Sequence, residues 1–288
     1  MVNLKYGLYL LNSGESAYAR TLAELAQEAE GAGWDGFFLS DTISLRRRPS
    51  VDPFIALAAI AMTTRRIRIG TLVTPLSRRR PWKVARETVS IDHLSNGRLI
   101  LGVGSGEPDR ESGIREFGTF GEDSDARVRA EKLDEALDIL VGLWSGEEFS
   151  YEGKHWRVDR ARFLPLPVQE PRIPIWVGGY WPHRPPFRRA ARWEGVIPAK
   201  GELTGMGMLE PADVREILRY VAKFRTSTTA FDVAISNFGC ETAGPIGPEK
   251  MRLYAEEGLT WWLESLAPYR DSPDEMRRRI RQGPPRDS

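Results

Sequence analysis

The feature that most constrains the fold is a regular alternation of short apolar runs with longer segments of helical periodicity. Runs rich in β-branched and aromatic residues predict strands, and apolar residues repeated every three or four positions predict helices. Strands that alternate with helices are typical of βα units, whose strands pair in parallel. Eight runs can be counted, at 5–11, 36–40, 66–74, 99–106, 174–179, 195–200, 232–238 and 260–266.

Eight βα units in 288 residues predict an α/β fold, the (β/α)8 or TIM barrel, as a single domain over 1–288. The competing fold is an open doubly wound sheet, which would divide the units between two sheets. No Pro-, Gly- or Ser-rich linker marks such a boundary. The long interruption at 145–172 predicts a small hairpin and a proline-stiffened segment, inserted between the fourth and fifth strands.

Composition and charge narrow the classes of function. The net charge of +1 argues against nucleic acid as a partner, because binding of phosphate backbones needs a basic excess. Cys240 is the only cysteine in the sequence, which fits a reducing cytoplasm. No signal-peptide pattern and no apolar run of about 18 residues occur, so we expect a cytoplasmic protein without a membrane segment. His93, His155 and His183 lack partners at metal-ligand spacing, so no catalytic metal is expected.

The fourth predicted strand ends in GVGSGE, where three glycines at alternate positions precede Glu107. The spacing is not the G-x-G-x-x-G of a dinucleotide phosphate loop. At the mouth of a barrel these glycines would admit a flat ring or another backbone, with Glu107 close by. The alternative is a tight exit turn with a solvated glutamate.

Asp41 ends the second predicted strand, and an acid at that place in a barrel is a candidate functional group. It could equally cap the loop that follows. No G-x-S-x-G elbow is present and Cys240 has no histidine nearby in sequence, so hydrolysis by an activated nucleophile is not favoured.

Basic residues cluster after three of the predicted strands. Gly178 and Gly179 precede a predicted helix start, whose free amides and nearby basic residues, Arg184 among them, could bind a phosphate. The alternative is a glycine turn followed by a solvated basic helix. The triplets in LRRRP (45–49) and SRRRP (77–81) lie at the same end of the barrel. Together they predict a basic rim that attracts an anionic ligand, although each could be an ordinary exposed loop. RRRIR (277–281) is expected to form a solvated helix face.

Several segments in this order resemble the luciferase-like flavin-dependent oxidoreductases, which include bacterial luciferase-type monooxygenases and coenzyme F420-dependent dehydrogenases and reductases. The segments are GAGWDGFFLSD, RRIRIGTLVTP, RPWKVARETVSIDHLSNGRLILGVGSGE, LDEALDILVGLWSGEEFSYEGKHWRV and PRIPIWVGG. The resemblance covers about residues 5–200 and implies a barrel that binds FMN or, alternatively, F420. In such enzymes the cofactor performs the redox chemistry and the protein orients it.

The resemblance also implies roles for particular residues. A bulge in the third strand, with a cis peptide expected between Leu72 and Val73, would support the ring from behind. Glu107 and Asp41 would polarise the substrate or exchange protons with it. The implied cofactor-binding residues are Leu72, Val73, Thr74, Gly104, Ser105, Gly106, Gly178, Gly179, Tyr180 and Arg184, and the implied substrate-binding residues are Thr42, Trp181 and Lys200.

One departure from the family pattern affects the expected activity. Many members have Asp-His where this chain has Asp41-Thr42, and threonine cannot supply a proton near neutral pH. We therefore expect a monooxygenase that uses reduced FMN, delivered by a separate flavin reductase, on a small organic substrate. The alternatives are F420-dependent hydride transfer, which Glu107 and Lys200 would suit, and a non-catalytic flavin-binding barrel. A homodimer is expected through the helices after the second and third strands, which include FIALAAIAM (54–62), although these could simply be buried against the barrel.

Overall fold

Eight parallel strands close into a barrel in the computed structural model, which describes residues 4–45, 48–107, 116–202, 205–238 and 247–286. The described strands are β1 (Lys5–Leu10), β2 (Gly36–Leu39), β3 (Arg68–Pro75), β4 (Leu99–Gly104), β5 (Phe149–Glu152), β6 (Arg157–Ala161), β7 (Ile175–Trp181), β8 (Gly195–Glu202), β9 (Gly205–Gly207), β10 (Asp232–Ser236) and β11 (Trp261–Leu266).

The barrel strands follow one another in chain order, with β5, β6 and β9 outside the ring. β1 pairs with both β2 and β11, and β10 pairs with both β8 and β11, which closes the sheet. Each of the eight predicted runs overlaps one barrel strand, so the predicted (β/α)8 barrel is confirmed.

Helices cover the outside of the barrel. They are α1 (Ala19–Gly31), α2 (Pro53–Thr63), α3 (Pro81–Ser95), α4 (Glu116–Thr119), α5 (Ala126–Trp144), α6 (Pro185–Ala190), α7 (Pro211–Ala222), α8 (Pro248–Glu256) and α9 (Pro273–Arg281). Local chemistry sets their ends: the Asp52 side chain accepts the Phe54 and Ile55 amides at the start of α2, and Asn96, with φ of 53°, ends α3. Within the described ranges, none of them combines the length and apolar character that crossing a membrane requires.

Large side chains fill the inside of the barrel. Phe38 lies 5.7 Å from the rings of both Trp176 and Trp261, and Leu72, Ile100 and Leu263 belong to the same buried cluster. A second core lies between the strands and the helices. Because the interior is packed, a ligand site has to lie above it, where the carboxyl ends of the strands meet.

A hairpin of β5 and β6 lies between the fourth and fifth barrel strands, as predicted. The Glu135 carboxylate of α5 holds it by accepting hydrogen bonds from the amides of Lys154, His155 and Trp156. The short β9, which pairs antiparallel with β8, was not predicted, because a three-residue strand has no detectable period.

Candidate functional site at the carboxyl ends of the strands

A bulge in β3 shapes the centre of the barrel mouth. The β3–β4 register shifts between Thr71 and Thr74, and the Leu72–Val73 peptide within the bulge is cis, as predicted. A Cβ atom on Gly104 would lie 2.8 Å from Cγ2 of Val73, and one on Gly178 would lie 2.8 Å from Cγ1. The Val73 side chain therefore packs against Gly104 of β4 and Gly178 of β7. We call the surface formed by these three residues the Val73 floor.

The predicted cofactor-binding residues of β3 and Ser105 differ in how much of their surface is exposed at the mouth. Val73 is half-buried, whereas Leu72 belongs to the interior cluster and the buried Thr74 hydroxyl donates to Oγ1 of Thr71 at 2.9 Å. The Ser105 carbonyl accepts a 2.9 Å hydrogen bond from Ser77. Of the predicted segment 72–74, Val73 is thus the residue with a surface left for a ligand.

Glu107 and Tyr9 approach the mouth from β4 and β1. Glu107 is exposed, and the half-buried Tyr9 packs edge-on against Phe238 at 5.4 Å. Burial, followed by the charge of Glu107, raises the pKa of the Tyr9 phenol, so Tyr9 is a neutral hydrogen-bonding group near a carboxylate. The sequence analysis did not single out Tyr9. Its side chain lies on the same face of β1 as Gly7, two positions earlier, and this spacing is only a weak signal that it faces the barrel mouth.

Asp41 lies in a buried ion-pair cluster. Arg79 donates to both carboxylate oxygens at 2.9 and 2.7 Å, and Nη2 of Arg78 lies 3.1 Å from Oδ1. Two guanidinium groups therefore hold this carboxylate in place. These contacts favour a positioning role for Asp41 over the expected proton exchange, which stays a prediction.

Glu116 completes this cluster and was missed in the sequence. Its carboxylate accepts from Arg78 and from the amides of Ile43 and Ser44, the latter at 3.1 Å. The side chains of Arg78 and Glu116 are 1% and 6% exposed, so the pair is shielded from water. The cluster joins the segments that follow β2, β3 and β4.

The predicted basic rim is wrong for the triplet at 78–80, because carboxylates neutralise two of its three arginines. Arg78 and Arg79 pair with Asp41, and Arg79 also lies 3.7 Å from Asp52. Arg80 is exposed and lies 5.2 Å from the Trp156 ring. In the other triplet, 46 and 47 lie outside the described residues.

The Thr42 backbone is fixed by Asn12, a fully buried residue that the sequence did not single out. Asn12 Oδ1 accepts from the Thr42 amide at 3.1 Å, and its Nδ2 donates to the carbonyls of Thr42 and Val51 at 2.8 and 2.7 Å. The loop after β2 therefore has a defined course beside Asp41.

The predicted phosphate site built from helix amides is also wrong. Pro185 and Pro186 start α6 and have no N–H, and the amides of Phe187 and Arg188 donate to the Arg184 carbonyl at 3.1 and 3.2 Å. A phosphate near Gly178 and Gly179 would therefore have to be bound by cationic side chains and not by the amides of α6.

Arg184 and Trp181 lie together on the outer side of this end. The Arg184 guanidinium lies 3.9 Å from the Trp181 ring and 4.8 Å from the Tyr220 ring. Trp181 is only 3% exposed and packs edge-on against Phe187, which weighs against the expected substrate contact. Tyr180 is half-buried.

Lys200 on β8 is half-buried and pairs with Asp213 of α7 at 3.4 Å.

The three histidines lie apart from one another: His93 contacts the Leu166 carbonyl, His155 contacts Glu131, and His183 is exposed. Among the residues placed by the structure, no three His, Cys, Asp or Glu side chains are grouped to hold a metal ion. Cys240 lies outside the described residues.

Comparison with solved structures supports the fold. The F420-dependent tetrahydromethanopterin reductase of Methanopyrus kandleri superposes with a TM-score of 0.73 at 16% identity, over 97% of both chains.

The curated relatives include F420-dependent and flavin-dependent enzymes. The F420-dependent glucose-6-phosphate dehydrogenase of Nakamurella multipartita is 31% identical over 201 residues, 68% of this chain and 55% of that protein. The oxygenase component of the flavin-dependent trigonelline monooxygenase of Acinetobacter baylyi is 27% identical over 166 residues, 58% of this chain and 44% of that protein. The chain thus spans about half the length of these relatives.

The sequence pattern of one family, the luciferase-like monooxygenases, matches residues 6–236, which is most of the chain. Together with the closed barrel and the bulged third strand, this match shows that the chain belongs to the luciferase-like monooxygenase family.

Proposed function

We propose that this protein is a flavin-dependent oxidoreductase of the monooxygenase type, which uses reduced FMN and oxygen on a small organic substrate. The Val73 floor carries the proposal, because its single side chain is flanked by the bare backbone of Gly104 and Gly178. Such a low surface fits one face of a planar tricyclic ring. When bound, the cofactor would supply the redox chemistry.

The residues around the Val73 floor would hold and orient the bound groups. Gly104, Ser105 and Gly106 would border the ring, and Gly178, Gly179 and Tyr180 would lead to its phosphate. Arg184 is the cation best placed for that phosphate, because ring contacts fix its guanidinium while leaving it exposed.

Proton transfer and substrate orientation would fall to side chains around the Val73 floor. Glu107 would exchange a proton with the substrate, and the neutral Tyr9 would hold a substrate oxygen by a hydrogen bond. Asp41 would keep Arg78 and Arg79 in place beneath the loop that presents Thr42. Lys200 would meet the substrate from β8.

The second candidate is F420-dependent hydride transfer without oxygen. It is favoured by the relatives named as F420-dependent dehydrogenases, one of them 31% identical to this chain. The exposed Arg184 suits this cofactor as well, because F420 carries an anionic tail.

Oxidation of the reduced cofactor with and without oxygen tests the proposal. The protein would be mixed with reduced FMN, supplied chemically or by a flavin reductase, and separately with oxidised F420 and with reduced F420. We expect oxygen-dependent substrate oxidation with FMN and a loss of at least tenfold in Glu107→Gln. Oxygen-independent turnover with F420 would establish the second candidate, and binding without turnover in any assay would leave a flavin-binding barrel.

A further inference from the structure

A buried network beside the barrel mouth has hydrogen bonds of fixed direction. The Asn12 Nδ2 group donates to the carbonyls of Thr42 and Val51 at 2.8 and 2.7 Å, so Oδ1 is the atom that faces Ser40. The Ser40 hydroxyl donates to this Oδ1 at 2.7 Å and accepts the Asn12 amide at 2.9 Å. A hydroxyl has a single proton, so the proton of Ser40 is already used.

Tyr9 lies next to this network, with its phenol hydrogen-bonded to Ser40. In the parallel register Tyr9 is paired with Phe38, and Ser40 follows two positions later on the same side of that strand. Because the Ser40 proton is used, Ser40 accepts this hydrogen bond and the Tyr9 phenol donates it. The lone pairs of the Tyr9 oxygen are therefore left for a group in the mouth.

Asn237, just beyond β10, has the opposite polarity. Its Oδ1 accepts the Ser265 amide at 2.7 Å, which fixes the side-chain amide, and the residue is only 7% exposed. Across the part of the chain that the structure describes, no acceptor is bonded to its Nδ2. An amide nitrogen carries two protons, so Asn237 is a fixed donor with unused capacity.

Tyr9 and Asn237 are neighbours at one level of the mouth. Ser265, which Asn237 holds, is the register partner of Tyr9 on β11. Phe238, the residue after Asn237, packs edge-on against Tyr9 with ring centroids 5.4 Å apart. An acceptor and a donor are thus placed side by side.

A hydroxyl group matches this pair, because its oxygen accepts a hydrogen bond and its proton donates one. A carbonyl oxygen could accept from Asn237 but would face the lone pairs of Tyr9. We propose that Tyr9 and Asn237 together bind a hydroxyl group of the substrate, so that the protein selects alcohols over the corresponding ketones. Asn12 and Ser40 are then positioning residues, which direct the Tyr9 proton. The proposal rests on the substrate site of the proposed function and holds with either cofactor.

Calorimetric binding of a matched pair of probes, cyclohexanol and cyclohexanone, tests the proposal. The protein would be loaded with oxidised FMN, or with F420 in the redox state that does not react with the probe. We expect the wild type to bind cyclohexanol about fivefold more tightly than cyclohexanone, which is the effect of one hydrogen bond. Ser90→Ala, a change at an exposed serine of α3, is the control and should keep this ratio.

Three variants separate the roles of the two partners. Tyr9→Phe should weaken cyclohexanol binding about fivefold and leave cyclohexanone within about twofold of the wild type, because the ketone makes no hydrogen bond to Tyr9. Ser40→Ala should strengthen cyclohexanone binding about threefold, since the Tyr9 proton can then turn toward the mouth. Asn237→Asp still accepts the Ser265 amide but has no N–H groups, and should weaken cyclohexanone binding at least fivefold.

Equal affinity of the wild type for both probes, no binding of either, or equal losses of both in Tyr9→Phe would overturn the proposal. Each of these results leaves cofactor binding, and with it the proposed function, untouched. A protein that binds neither cofactor yet prefers cyclohexanol would contradict the proposed function and support this proposal. If the melting temperature shows that Ser40→Ala does not fold, Tyr9→Phe and Asn237→Asp decide.

Discussion

At the scale of single residues, the buried cluster of Asp41, Arg78, Arg79 and Glu116 organises the mouth of the barrel. Each carboxylate has at least one guanidinium partner, and Glu116 also accepts two backbone amides. Removing one member of such a buried group leaves an uncompensated charge, which costs more than the intact pair contributes. We therefore expect substitutions in this cluster to lower the free energy of unfolding more than substitutions of other polar residues at the barrel mouth.

We predict that Arg78→Met lowers the free energy of unfolding by about 3 kcal/mol or more. Arg20→Met, a change at an exposed arginine of α1, should alter it by no more than about 0.5 kcal/mol. Urea denaturation of both variants measures the difference. Equal stability of the two variants would mean that the buried ion pairs contribute little.

Tyr9 gives a pH dependence whose sign follows from its surroundings. Burial, then the charges of Glu107 and Tyr269, raise the pKa of its phenol above the ordinary value near 10. The folded protein therefore keeps this proton above about pH 10 while the unfolded chain loses it, so stability falls there by up to about 1.4 kcal/mol per pH unit. Below pH 10 the contribution is fully present.

We predict that Tyr9→Phe has a shallower loss of unfolding free energy between pH 10 and 11 than the wild type. Tyr18→Phe, at an exposed tyrosine, should retain the wild-type slope. Denaturation curves at several pH values provide the comparison. Identical slopes in the wild type and Tyr9→Phe would show that the Tyr9 phenol ionises in the folded protein.

At the scale of elements, α2 is apolar on both sides. Phe54, Leu57 and Ile60 are buried against the barrel, whereas Ile55 and Met62 on the outer side are each 64% exposed. The outer residues stand seven positions apart, on one stripe of the helix. An exposed apolar stripe of this kind is typical of an interface, and we propose that α2 packs against a second copy of the chain.

We predict that the wild type is a dimer at micromolar concentration and that Ile55→Glu converts it to a monomer. The control is Leu253→Glu, which adds the same charge at an exposed leucine of α8 and should leave the dimer intact. Light scattering coupled to size-exclusion chromatography gives the mass. A monomeric wild type would contradict this role for α2.

At the scale of the whole molecule, the local periodicity of the sequence was sufficient to predict the barrel. Strand and helix patterns extend over neighbouring residues, so all eight barrel strands could be found without knowledge of long-range contacts. The hairpin insertion was predictable for the same reason. The bulged segment of β3 and its cis peptide came from family resemblance instead.

Charge pairing could not be predicted in the same way, because partners distant in sequence decide it. Arg78 meets Asp41 across 37 positions and Glu116 across 38. The expected solvated face at 277–281 is confirmed for Arg278 and Arg281, which are exposed, whereas Arg279 pairs with Glu264. Long-range ion pairs therefore changed the prediction for the basic triplet at 78–80, where Arg78 and Arg79 are neutralised.

The central claim is that a tricyclic cofactor lies on the Val73 floor, and its dissociation constant in a double-mutant cycle tests this most directly. Gly104→Ala would push the stiff Val73 side chain out of place, since the new Cβ would lie 2.8 Å from Cγ2. We predict that Gly104→Ala weakens binding of FMN or F420 at least tenfold, and that adding Val73→Ala restores part of the loss. Unchanged affinity in Gly104→Ala at an unchanged melting temperature, or no binding of either cofactor by the wild type, would contradict the claim.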